Sequence, residues 1–273
     1  PKSRAAEMNK PVCSAVHSAN DPATCYGARI EKEKAMRSIL AAITPLILLV
    51  SSAIAGDAIA VSTSANGGSA SATAVAIGNS NSLAIAGATN GGRAVANSTA
   101  IGSGRGYADS RAVATADRGT AISNSRADAR GLFGGSAVAE SESIAAAIGG
   151  LAVSNSHAAA DGVYFGHARS RSTSTALSRW GTALSDSRAR SRGYFGGRAT
   201  SDSDSTAVTF GGHARSTTIV DSDARYIANA KANGVGVSSS GVLRYANSRV
   251  RAESRASHGG HSGANVVAIE IRP

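Results

Sequence analysis

Cysteine is almost missing from this chain, and its placement matters. The two cysteines, Cys13 and Cys25, both precede Met36. A mature chain that starts beyond a leader therefore has no disulfide framework, no thiolate metal site and no cysteine nucleophile. A Cys13–Cys25 bridge is the alternative. Lysine is scarce too: from Gly56 onward there are 20 Arg, one Lys (Lys231) and 14 acidic residues. Arginine forks match phosphate, sulfate and carboxylate bidentately; a merely solvated surface is the bland alternative. Several motifs are absent. "GSGRGY" at 102–107 lacks the GK[ST] of a phosphate loop and reads as a turn. The Gly-Gly-x-Gly-x-Asp turn of calcium-binding β-rolls does not occur.

One stretch reads as a leader. Arg37 supplies a short basic region, Ile39 to Val50 an apolar one, and Ala53-Ile54-Ala55 a small-x-small cleavage site before Gly56. Residues 36–55 are thus expected to be a secretory signal peptide, with a retained membrane anchor as the alternative, and no membrane span is expected after cleavage. Glu31-Lys32-Glu33-Lys34 is necessarily encoded by purines alone, like a bacterial ribosome-binding site ahead of a start codon. Residues 1–35 are therefore expected to be translated upstream sequence or a dispensable extension.

What the chain has is a repeat. Ala121, Ala137, Ala152, Ala168, Ala183, Ala199 and Ala214 mark half-repeats alternating between 16 and 15 residues, nested in a full repeat of 31. Ser125, Ser141, Ser156, Ser172, Ser187 and Ser203 keep the same spacing. Within each half-repeat the alternation has period 2, the pleat of a strand. One face carries Ala, Ser, Gly and an occasional Thr or Val; the other carries Ile122, Asn124, Arg126, Asp128 and Arg130 in one strand. The uniform face is the packed one. Strands of about nine residues are expected between glycine corners, with Gly131, Gly162 and Gly193 equivalent, then Gly135, Gly166 and Gly197, and at the other bend Gly150, Gly181 and Gly212. Phe133, Tyr164 and Phe195 form one corner column, with Tyr194 beside it and Trp180 and Phe210 near the opposite bend.

The expected fold is all-β: a two-sheeted β-solenoid with 31-residue coils, an Ala/Ser core and strands stacked at about 4.8 Å. Antiparallel meander, cross-β stacking and disorder are the competitors. With such small interiors the sheets must approach closer than the usual ~10 Å, and buried serines must find partners, with Ser above Ser donating along a column. Stacking at 31 puts Glu140, Arg171 and Asp202 in one outward column and Arg130, Asp161 and Arg192 in another, both alternating in sign; Arg126, His157 and Arg188 do not alternate. The divisions expected are 56–120, irregular coils; 121–213, regular repeats; and 214–273, degenerate coils closing in a cap at Val266 to Ile271.

The segment 71–116 bears a family resemblance. "TAVAIGNSNSLAIAG" and "NSTAIGSGRGYADSRAVA" resemble the short repeats of YadA-like trimeric autotransporter adhesin heads. The resemblance covers about 50 residues; the later repeats are longer, no coiled-coil stalk is visible, and "NVVAIEIRP" is too short for that family's anchoring barrel. It implies surface adhesion and trimerisation.

No constellation of catalytic residues emerges, and no enzyme activity, cofactor or metal is expected. His258 and His261 form an H-x-x-H with nothing to complete a site. Asp202/Asp204 and Asp221/Asp223 are D-x-D pairs open to calcium, although Arg171 neighbours Asp202. Thr173 and Thr175 point outward, but their equivalents Glu142, Asp204, Ile144 and Thr206 break the threonine ladder that ice binding wants. The candidate surface-binding residues are Arg126, Arg130, Arg171, Arg188, Arg190 and Arg192. The expected function is a secreted or cell-surface structural or adhesive element engaging anionic polysaccharide or a cell surface, or other copies of itself as a trimer. A self-assembling fibre subunit and an ice- or calcium-binding module are the alternatives. Nucleic acid is not an expected partner.

Overall fold

A computed structural model describes residues 49–271 except 55, 105, 134, 227, 228, 242–244 and 259; for 49–54 it describes the backbone alone. The expected extension 1–35, Cys13, Cys25 and most of the leader lie outside the described residues. All the described elements are strands. The odd sheet contains β1 (Leu49–Ile54), β3 (Ser69–Ile77), β5 (Arg93–Gly102), β7 (Thr120–Gly131), β9 (Leu151–Gly162), β11 (Thr182–Tyr194), β13 (His213–Arg225) and β15 (Ala246–Ser257). The even sheet contains β2 (Ala58–Ser64), β4 (Ser80–Ala88), β6 (Tyr107–Asp117), β8 (Ser136–Ile148), β10 (His167–Ser178), β12 (Arg198–Thr209), β14 (Asn229–Ser240) and β16 (Ser262–Ile271). Every pairing is parallel and joins a strand to its equivalent one coil away, so the chain is a two-sheeted β-solenoid. Among the described residues no helix is long and apolar enough to cross a membrane.

The coil length is not constant. Ser69 pairs with Arg93, Arg93 with Thr120, Thr120 with Leu151, and Ala214 with Ala246, so coils grow from 24 residues through 27 and 31 to 32. The stretch 56–120 is as regularly stacked as the rest; its coils are shorter, which hides the 31-residue period. Strands lengthen from 9 residues in β3 to 13 in β11. They exceed the expected nine because Gly131 and Gly162 end β7 and β9 as paired residues rather than standing outside them. The segment 214–273 continues in register as β13 to β16. Val266 to Ile271 add one more strand to the even sheet, and no described residue lies over it; β16 is exposed along its whole length. No proline occurs between Pro45 and Pro273, as a stack of interior strands that all need their N–H groups requires.

Burial follows the pleat: in β7 through β14 inward residues are buried and outward ones are not. The core is Ala and Ser, and the largest fully buried side chains are Val220, Thr209 and Thr218. Buried Ala brings under ~1 kcal/mol of transfer energy per methyl, so the polar half of the core must hold its own weight. It does so between the sheets. The hydroxyls of Ser110, Ser125, Ser141, Ser156, Ser172, Ser187 and Ser203 form one chain of Oγ–Oγ hydrogen bonds of 2.8–3.0 Å that zigzags from sheet to sheet. This corrects the expected column up a single sheet. Neighbours in one sheet sit a full strand spacing of about 4.8 Å apart, beyond hydrogen-bond reach, whereas the facing strand lies half a coil away. Among the described serine pairs, Ser170–Ser201 and Ser191–Ser222 alone bond at the 31-residue offset. Ser187 Oγ also reaches the main-chain carbonyl of Ser172 at 2.7 Å, possible only where facing sheets are one small side chain apart.

Two corner columns hold the turns. At the even-to-odd bend, a Cβ added to Gly119, Gly150, Gly181 or Gly212 would fall on the carbonyl oxygen of the equivalent glycine one coil back. At the odd-to-even bend Phe133, Tyr164, Phe195, Tyr226 and His258 all sit at φ of 51–62° and stack with ring centroids 4.8–5.5 Å apart and planes within 17°. The aromatic column therefore runs on through Tyr226 and His258. A left-handed aromatic costs about 1–2 kcal/mol, and each stack returns about 0.5–1.5 kcal/mol beyond area burial.

Adjacent glycines at the same corner separate the two roles of glycine. Gly149 has φ +70° and open space around its missing Cβ, whereas Gly150 has none. Gly149→Ala is expected to cost about 1 kcal/mol from backbone strain. Gly150→Ala is expected to cost roughly 3–5 kcal/mol or prevent folding, because the backbone column must part. Chemical denaturation of the two variants beside the parent checks this.

Candidate functional site

The outer faces differ. Parallel in-register pairing stacks outward residues directly, so each face is a grid whose rows are strands and whose columns are equivalent positions. On the odd sheet, β7 presents Arg126, Asp128 and Arg130, β9 presents His157, Ala159 and Asp161, and β11 presents Arg188, Arg190 and Arg192. Five of the six candidate arginines thus share one face over three adjoining strands. Arg171 does not join them: it lies on β10, between Glu140 and Asp202, on the outer face of the even sheet. The expected columns Glu140–Arg171–Asp202, Arg130–Asp161–Arg192 and Arg126–His157–Arg188 are all present.

The first two columns do not supply the ion pairs. Among the described residues, five of the seven pairs run along a strand to the residue two away, including Arg126–Asp128 at 2.8 Å, Arg188–Asp186 at 3.3 Å and Arg225–Asp223 at 3.1 Å. The other two, Arg111–Glu142 and Arg190–Asp221, cross between strands. All involve solvent-exposed arginines and are worth about 0–1 kcal/mol each. Arg130 and Arg192 make no ion pair among the described residues.

Two grooves flank the Arg126–His157–Arg188 column. One, of about 510 Å³, is bounded by Asn97, Asn124, Asn155 and Asp186 on its far side. The other, of about 550 Å³, takes in Asp128, Arg130, Asp161, Arg190 and Arg192. Arg126 and His157 line both. The asparagines form an amide ladder: Asn124 Nδ2 donates to Asn97 Oδ1 at 2.8 Å, and Asn155 Nδ2 to Asn124 Oδ1 at 2.9 Å. Sequence reasoning missed this ladder, although Asn124 and Asn155 stand one repeat apart in the text. At the next coil the column holds Asp186. A carboxylate has no proton to pass up the ladder, and Asp186 Oδ1 is buried with no partner among the described residues.

His157 is held below the ordinary imidazole range, first by burial, with the positive charges of Arg126 and Arg188 adding to it and Asp128 and Asp186 opposing. At neutral pH the middle of the column is uncharged. On the even sheet burial is also the first cause raising Asp204 above the usual carboxylate range, followed by Asp202.

The other candidates fall apart spatially. Asp202 and Asp204 face outward on β12 of the even sheet, Asp221 and Asp223 on β13 of the odd one. Asp202 accepts from Asn233 at 2.7 Å, and Asp221 and Asp223 are engaged by Arg190 and Arg225. His258 ends the aromatic stack on Tyr226. Among the described residues no group of three His, Cys, Asp or Glu side chains stands close enough to hold a metal. Thr173 is aligned with Glu142 and Asp204, and Thr175 with Ile144 and Thr206. No family model, curated protein or solved structure matches the chain.

Asp186→Asn would complete the amide ladder onto Asn155. Removing the unpartnered buried carboxylate oxygen in favour of a donor to Asn155 is worth about 1–3 kcal/mol, and the exposed Arg188 pair at most about 1 kcal/mol, so a melting temperature raised by about 2–4 °C is expected in a thermal scan. His157 gives a pH prediction. Its folded pKa lies below the unfolded value of 6.5, so the unfolded chain takes up protons first on acidification. The stability involved is fully present above that value and is lost as pH falls from it through the folded pKa. His157→Gln should therefore lose less stability than the parent between pH 7.5 and 5. Denaturant titrations of both proteins at each pH check it, the difference cancelling the carboxylates they share.

Proposed function

We propose that the chain is a secreted, non-enzymatic structural or adhesive β-solenoid whose odd-sheet outer face holds anionic polysaccharide. The observation that carries this is the gathering of Arg126 and Arg130 on β7 and Arg188, Arg190 and Arg192 on β11, either side of β9, around two grooves that share Arg126 and His157. Guanidinium groups spread over one face, two strands apart, suit a polymer of repeated anions better than a single small ligand, because every contact is exposed and individually weak. The resemblance of 71–116 to adhesin head repeats supports adhesion and, with it, a trimer. That segment spans β3 to β6, at the short-coil end of the solenoid. The leader-like segment 36–55 supports export to the cell surface or medium.

Binding to immobilised sulfated and carboxylated polysaccharides, with neutral dextran as control, tests the proposal. The full chain is expected to bind the anionic polymers and to release as salt shortens the screening length. The triple variant Arg188→Gln/Arg190→Gln/Arg192→Gln is expected to lose at least tenfold in affinity. Arg169→Gln/Arg171→Gln, on the opposite sheet, is expected to lose less than twofold. Equal losses from the two faces would refute a dedicated surface.

A further inference from the structure

Resting on the anionic-glycan function proposed above, we infer that the groove beside the asparagine ladder takes a polysaccharide bearing one acidic group on alternate sugars, laid along the solenoid axis with successive acids on Arg126 and Arg188.

The direction follows from the grid. Along β11 the row Arg188–Arg190–Arg192 has Asp161 on one side and Asp221 and Asp223 on the other, and Arg190 is already engaged by Asp221 at 3.6 Å. An anionic chain laid along that strand would run beside three carboxylates. Across the strands, the column Arg126–His157–Arg188 contains no acid and is flanked by two, Asp128 and Asp186, each paired with the arginine beside it. An anion laid down the column therefore meets fewer carboxylates than one laid along the row, and finds Arg126 and Arg188 each with donors to spare beyond its single carboxylate partner.

The spacing follows from the strands. Arg126 and Arg188 are two strand spacings apart, about 9.6 Å. An extended pyranose chain advances close to one strand spacing per sugar, so acids on alternate sugars meet Arg126 and Arg188 while the neutral sugar between them lies over His157. Burial keeps that imidazole below its ordinary range and so uncharged at neutral pH. Each ladder amide commits one Nδ2–H to its neighbour and has a second to donate to a sugar hydroxyl. Charge readout on one side and hydroxyl readout on the other describe an acidic sugar polymer rather than a simple polyanion.

The test compares two carboxylated polymers of matched length at pH 7.5 and fixed salt. Hyaluronan carries an acid on alternate sugars and polymannuronate an acid on every sugar. The full chain is expected to prefer hyaluronan at least tenfold. His157→Arg places a cation at every strand and is expected to raise polymannuronate affinity at least tenfold, while His157→Gln keeps the parent's preference. Arg126→Gln, an exposed and independent change, is expected to weaken hyaluronan binding at least tenfold. Equal affinity for the two polymers, or hyaluronan affinity untouched by Arg126→Gln, overturns the inference while leaving the broader function standing. Binding of neither polymer, nor of any other polyanion, overturns both.

Discussion

The distance between the two sheets governs this molecule. Ala and Ser dominate the interior because the facing backbones leave room for nothing larger than an occasional Thr or Val, and the hydroxyl of Ser187 reaching the carbonyl of Ser172 measures how little room there is. A core this thin has a small hydrophobic yield, so cohesion shifts to the parallel ladders and to the serine chain between them. That chain is directional: each hydroxyl from Ser125 to Ser203 donates to the serine half a coil before it. Hydrogen bonds linked in this way polarise one another. Cutting one link removes that polarisation, although Ser125, Ser156 and Ser187 each keep the main-chain carbonyl of the preceding serine as an acceptor.

The same closeness fixes the register, and the register produces the columns. Once coil n sits exactly above coil n+1, any residue type that repeats finds its own kind one strand spacing away, about 4.8 Å. Asparagine then makes an amide ladder, aromatic rings make a stack, and glycine makes a column in which carbonyl oxygens occupy the space of the missing side chains. The left-handed aromatic corner belongs to this logic. A single phenylalanine at positive φ is an outlier; Phe133, Tyr164, Phe195 and Tyr226 each find a ring of the neighbouring coil to offset the strain.

Much of this was legible in the sequence, because period 2 and period 31 are both written in the Ala and Ser spacing. The inward set, the glycine corners and the cross-strand columns came from that spacing alone. Four features did not. The coils of 24 and 27 residues preserve stacking without preserving a period, so 56–120 looked irregular. The serine bonds cross between sheets, and a one-dimensional repeat shows what lies above a residue more readily than what lies opposite. Arg171 was grouped with arginines it never meets, although the alternation of 15 and 16 already assigned it to the other half-repeat from Arg126 and Arg188. Asp186 at the end of the asparagine ladder was readable only once the ladder itself was visible, since a lone Asp at an outward position is ordinary.

A fold that spends its inward positions on one purpose leaves the outward ones unconstrained, and this makes departures on the surface informative. Several charges here are answered within their own strand, as Arg126 is by Asp128 and Arg188 by Asp186. Those pairs answer the charge along the row but not down the column, where Arg126, His157 and Arg188 remain stacked with no acid among them. Packing does not require that arrangement: two columns along, Asp161 stands between Arg130 and Arg192 on the same three strands. The scaffold tolerates either solution at the middle position, so packing supplies no reason for a column without an acid; the proposed anionic partner would supply one.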